Sequence, residues 1–187
     1  GKRAVLVLEE GSPEFIEPDV AESWTTNAAG TEWTFKIRAG VQCHHNYGEF
    51  TAEDAAYSIK RASTKATSSF SSDFASFEKI EAVDKSTLKI TLKNAVPGFL
   101  GYLVNYHGGN LVCKKAGEEM GENFGKKPIG TGPFEFVEYL PQQYVKLKAN
   151  AKYFRGKPAL EEIVYRYIPS DATRDLALQS GEVDLIY

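Results

Sequence analysis

Apolar and polar residues alternate with period two over residues 32–38. Trp33, Phe35 and Ile37 share one side, and Thr34, Lys36 and Arg38 the other, the pattern of a half-buried strand. Leu88, Ile90 and Leu92 alternate in the same way with Lys89 and Thr91. With residues 80–83 and the polar link Asp84-Lys85-Ser86-Thr87 they predict a hairpin. Residues 134–139 and 144–148 predict a second antiparallel pair, and 163–168 a further strand. Short apolar strands are also expected at residues 4–8, closed by Gly11-Ser12-Pro13, and at 183–187.

Helical spacing begins at Ala52 and continues through Ala55, Ala56, Ile59 and Ala62. Thr51 and Asp54 stand three apart at its start, where they form a capping box over the free amides. Pro97 suits a helix first turn, with Phe99, Leu100, Leu103 and Val104 as the apolar face and Gly108-Gly109 as the break. Residues 114–120 predict another short helix. Ser170 caps a last one, with Ala172, Leu176 and Ala177 on its buried side and Gly181 as its stop. Residues 63–76 read as a loop or weak helix, in which Phe70, Phe74 and the neighbouring Phe77 require burial. No repeat or low-complexity segment interrupts this order.

Composition narrows the classes. Among 187 residues, 42% are hydrophobic and 25% charged, ordinary for a globular protein of one domain or two small ones. Lys and Arg number 22 against 25 Asp and Glu, without the basic excess of a nucleic-acid binder. Residues 114–157 carry 9 basic and 5 acidic groups, but Lys146 and Lys148 alternate with apolar neighbours as on a solvated strand face. No apolar run reaches the ~18 residues of a membrane span. The chain opens on Gly1 rather than Met, for which a processed or trimmed start is the simplest expectation.

The stretch KPIGTGPFEF (127–136) raises the question of a phosphate loop. Such a loop needs glycines leading into Lys-Ser/Thr at a helix start. Here the lysines precede the glycines, Pro133 offers no amide, and a strand follows. Gly130 and Gly132 are therefore expected to be permissive turn residues. Cys43, His44 and His45 are adjacent, and His107 and Cys113 lie further on. Successive side chains on an extended strand point to opposite faces, so the first cluster is poorly placed to share an ion. The two cysteines form no metal or redox motif, and their spacing leaves pairing open. No Gly-x-Ser-x-Gly, His-Glu-x-x-His or dinucleotide fingerprint occurs.

Five stretches in order, EPDVAESW, TEWTFKIRAGVQCHH, GEFTAEDAAYSIKRA, PIGTGPFEFVEYLPQQYVKLKANAKYFRGKPALEEIVYRYIP and ATRDLALQSGEVDLIY, cover most of the chain. Together they resemble the dipeptide/oligopeptide/nickel-binding family (family 5) of extracytoplasmic solute-binding proteins of ABC importers. Where that family commonly has Phe-His-Asp-Gly, this chain has Cys43-His44-His45-Asn46, with Tyr47-Gly48 extending the turn. Asn46 and Gly48 both tolerate left-handed backbone. Cys43 would pack as a small hydrophobe in place of the aromatic.

The resemblance implies a mixed α/β fold of the periplasmic-binding-protein-like class II. Residues 1–128 would form an added subdomain of the first lobe and 129–187 part of its main sheet. That lobe's first strand, the second lobe and the acidic anchor for a peptide amine would be missing. It implies no catalysis and no cofactor. The partners implied are a small-molecule or peptide ligand, an ABC permease and the missing second lobe. The location implied is periplasmic or extracellular, at the membrane through the importer or a lipid anchor. A peptide-type ligand is expected first, with nickel complexes and oligosaccharides open. Phe70 and Phe74 would form an aromatic wall of the cleft, and His107 and Asn110 its polar contacts. Two alternatives stand beside this: a metal-binding module using Cys43, His44, His107 and Cys113, and a non-transport protein-interaction domain of the same fold.

Overall fold

The computed structural model describes residues 16–104 and 106–186. The strand expected at residues 4–8 and its turn lie outside them. The described residues form a mixed α/β arrangement of two antiparallel sheets. The first sheet has the order β1-β2-β4-β3, from strands Ala21–Thr26, Glu32–Ile37, Thr87–Leu92 and Phe77–Asp84 respectively. The second, β5-β6-β7, comprises Phe134–Leu140, Tyr144–Ala149 and Glu162–Arg166.

The register follows the period-two pattern. Phe35 pairs with Leu88, and Ile90 pairs with both Trp33 and Ile80, so the buried positions stack across three strands. β1 had no expectation of its own, because AESWTT has only Trp24 as a large apolar residue. It is added by its turn: Asn27 Oδ1 accepts the Thr31 and Glu32 amides at 2.9 and 3.2 Å.

Helix α1 (Ala52–Ser63) covers this sheet with Ala52, Ala55, Ala56 and Ile59. Its capping box is present: Asp54 Oδ2 accepts the Thr51 amide at 2.8 Å and the Thr51 hydroxyl at 2.9 Å. Asp54 Oδ1 takes the Lys114 amide at 2.8 Å. Ser58 Oγ has the Asp54 and Val112 carbonyls at 2.8 and 3.0 Å to share its one proton, and it accepts the Val112 amide. These bonds bolt α1 to the start of α3 (Lys114–Met120). Helix α2 (Phe99–Val104) buries Phe99 against Trp33, Phe35 and Phe77.

Three expectations are corrected. Phe70 is 38% exposed rather than buried, although Phe74 enters the core at the end of a 3-10 turn. In α4 (Asp171–Gln179), capped by Ser170, only Ala177 is buried; Leu176 and Ala172 face outward. Residues 183–186 form no strand. The last two share a cause: no described element packs on that side of α4 or pairs beyond β7.

Candidate functional site

A cavity of about 500 Å3 opens between the two sheets. Phe35, Ile37 and Leu88 line it from the first sheet, and Phe136, Val145 and Leu147 from the second. Loops 108–112 and 128–132 close its side. Its few polar groups include His44, Asp19, Asn110 and Thr131.

The turn that carries His44 joins the two sheets. Residues 44–46 form a 3-10 turn in which His45 and Asn46 take φ of 54° and 61°. Asn46 and Gly48 (φ 101°) adopt the left-handed backbone expected of them; His45 does so as well, at a cost of about 1–2 kcal/mol for an L-residue. Contacts in this turn offset that cost. His44 donates its amide to the Gly130 carbonyl at 2.9 Å, and its Nε2 lies 2.9 Å from the Gly132 carbonyl. The Gly130 amide points to His44 Nδ1 at 3.4 Å. His45 Nε2 meets the Phe136 carbonyl at 3.2 Å, and Lys152 donates to Asn46 Oδ1 at 2.8 Å. A carbonyl at Nε2 and an amide N–H at Nδ1 together select the neutral imidazole with its proton on Nε2. Burial pushes the His44 pKa below 6.5, against the Gly132 carbonyl and Glu135, which favour the cation.

The 128–133 stretch is thus a turn leading into a strand, as its order of lysines and glycines requires. Neither Gly130 nor Gly132 takes positive φ, so left-handed freedom is not what they supply. Their backbone groups instead meet the His44 ring, and Asn150, itself buried, adds a 2.9 Å bond to the Gly132 carbonyl.

Cys43 and Cys113 form a disulfide across 70 residues, with Cα atoms 6.2 Å apart. Both thiols are consumed, which removes the metal module built on Cys43, His44, His107 and Cys113. His44 faces the glycine turn with both ring nitrogens engaged, while His107 Nδ1 sits 2.5 Å from Asp73. Among the described residues, no group of three or more His, Cys, Asp or Glu is arranged to hold a metal ion.

The four expected ligand residues fall into two groups. Phe70 and His107 stack face to face at 3.7 Å, with Tyr106 edge-on to both and half exposed. Phe74 lies beneath, buried against Phe77 and in close approach to Gly108. Asn110 is on the cavity wall, its side chain donating to the Tyr106 carbonyl at 3.2 Å. Tyr106 joins this ring cluster from outside the four expected residues, since a lone aromatic before His-Gly-Gly carries no periodic signal.

Two antiparallel sheets joined through a glycine turn, with helices on one of them, are the mixed α/β architecture of the first part of periplasmic binding proteins, and solved structures match it. One is the binding protein MoaA from A.tumefacien R10, in complex with mannopinic acid: 46% identical, TM-score 0.89, covering 94% of this chain and 36% of that one. Another is the periplasmic binding protein DppA from Helicobacter pylori, in complex with the peptide STSA: 31% identical, TM-score 0.80, covering 89% and 37%. A putative ABC transporter peptide-binding protein of Brucella ovis is 32% identical over 97% of this chain and 35% of its own length. Residues 16–187 match the bacterial extracellular solute-binding proteins, family 5 (middle), and the chain belongs to that family. It spans about a third of the length of these relatives.

Proposed function

We propose that this chain is part of the solute receptor of an ABC importer, that its ligand is of peptide type, and that it works outside the cytoplasm. The observation that carries this is the unbroken family match across residues 16–187, joined to a relative described as peptide-binding. Residues 1–128 are assigned to the added subdomain and 129–187 to the main sheet, with the second lobe supplied by the rest of the protein. The role assigned is capture and delivery to a permease, with no bond made or broken.

The buried Cys43–Cys113 disulfide supports the location, since such bonds form and persist in oxidising compartments. No helix among the described residues is long and apolar enough to cross a membrane; attachment through the importer or a lipid anchor belongs to the proposal. Phe70, His107 and Asn110 are assigned to ligand contact, and Phe74 to holding up their loop. Support comes from the exposure of Phe70 and Tyr106, which lie outside the cavity lining, and from the place of Asn110 on the cavity wall. Exposed rings of this kind offer large contact area at small conformational cost.

Calorimetric titration of the whole protein with tri- and tetrapeptides, and separately with mannopinic acid, tests the reading. Peptide binding is expected, weakened at least tenfold by Phe70→Ala and Asn110→Ala with unchanged melting temperature. Mannopinic acid binding without peptide binding would overturn the ligand class; binding of neither, with native mass spectrometry finding no co-purified solute, would overturn solute capture.

A further inference from the structure

We propose that His44 is a proton-read clasp: its neutral ring pins the 128–133 turn to the 43–46 turn, and protonation loosens that turn at Gly130. Three hydrogen bonds join the two segments, and two of them use the ring. Nε2–H can donate to the Gly132 carbonyl in either charge state. Nδ1 accepts the Gly130 amide only when it carries no proton. Adding one sets two N–H groups against each other at a residue only 5% exposed, where an unmade hydrogen bond is costly.

The charged groups around the ring give the cation little support. Glu135 on β5 attracts it, but its carboxylate is shared with Lys148 at 3.3 Å and His45 at 3.8 Å. His45, on the same turn, opposes the cation. The 128–133 turn contributes no ionisable side chain. In the 150–155 loop the nearby cation, Lys152, is engaged by Asn46. Asp19 lines the same cavity, where Arg155 pairs with it at 3.0 Å. On the far side of the turn, the Cys113 amide holds the Ile129 carbonyl at 3.1 Å and the disulfide ties Cys113 back to Cys43. Release is therefore local: the Cys113 amide on Ile129 and the Asn150 side chain on the Gly132 carbonyl limit how far the turn travels, and the cavity wall at Gly130 moves while the first sheet stays folded.

The direction follows from linkage. A histidine whose folded pKa lies below its unfolded 6.5 stabilises the closed form fully above pH 6.5. That contribution is lost as pH falls from 6.5 toward the folded value.

Ring-nitrogen NMR of the protein tests this, since three histidines give only three pairs of ring-nitrogen signals. Expected are an Nε2–H neutral His44 at pH 7, a midpoint below 6.5, and Gly130 and Gly132 amide shifts that follow the same midpoint while Ile90 does not. His44→Gln, which keeps the donor to Gly132 without a titrating ring, should abolish the pH dependence at both glycines. A His44 midpoint at or above 6.5, glycine amides indifferent to it, or Ile90 moving in step with them would each overturn the clasp. Should His44→Gln fail to fold, the wild-type titration alone decides. No ligand enters the measurement, so its outcome is separate from that of the transport reading.

Discussion

Asp54 does three jobs at once. Its two oxygens receive the Thr51 amide, the Thr51 hydroxyl and the Lys114 amide. The first two were readable from Thr51-x-x-Asp54, because a capping box is a local pattern. The third was not, since it joins residues 60 apart. Removing the carboxylate strands two part-buried amides, so Asp54→Ala is expected to cost about 1–3 kcal/mol in urea unfolding. Thr51→Ala, which leaves the Lys114 bond intact, should cost about 1 kcal/mol; equal losses would contradict the double role. Gly108 makes a different point. A Cβ there would stand 2.7 Å from the Phe74 ring and 2.8 Å from the Tyr102 carbonyl. Gly108→Ala is therefore expected to destabilise by about 1–3 kcal/mol through overpacking. Phe74→Leu in the same background should recover part of the loss on thermal melting. Sequence presented Gly108 as a helix break; the ring beneath it is a tertiary fact.

At the scale of elements, the strands and helices with strong periodicity were legible. The α1 cap, the β3–β4 and β5–β6 pairs and α3 at Lys114–Met120 all stand where the pattern set them. The alternating lysines of β6 do lie on a charged face, where Lys146 meets Glu162 at 2.8 Å and Lys148 meets Glu135 at 3.3 Å. Such exposed pairs contribute little to stability. α4 shows the limit: Leu176 had helical spacing yet lies exposed, because a pattern names a face and says nothing of what will cover it. The disulfide between the 43–46 turn and α3 was illegible for a related reason: two cysteines permit a bond, and only the fold brings their Cα atoms to 6.2 Å. It closes a loop across 70 residues, and for a loop of that size unfolded-chain entropy stabilises by about 4 kcal/mol. Double substitution Cys43→Ala/Cys113→Ala should lower the urea midpoint accordingly, and dithiothreitol should have no further effect on that variant. An unchanged midpoint would show that the hydrogen bonds around His44 suffice without the covalent tie.

Across the whole molecule the two sheets are dressed unequally. The first is covered by α1 and α2. The second turns Tyr139, Val145 and Tyr165 in one row across its strands, and Tyr139 and Tyr165 are each more than half exposed. An apolar row of this kind, over which no described helix packs, invites association. The 187-residue chain is expected to bind a hydrophobic dye and to self-associate at raised concentration. Tyr139→Lys with Tyr165→Lys should reduce both, as read by fluorescence and light scattering. Dye binding that persists in the double variant would place the dye deeper on the same face, in the cavity that Val145 also lines.

Local order was decided by the sequence alone. Period two or helical spacing, a Thr-x-x-Asp cap and proline-glycine punctuation act over a few residues, and five ordered stretches sufficed to name the family. Contacts between distant segments were left to the tertiary structure: the Cys43–Cys113 bond, the Lys114 amide on Asp54, and the His44 ring against Gly130 and Gly132. Each of these depends on where the backbone returns in space, which no spacing along the chain encodes.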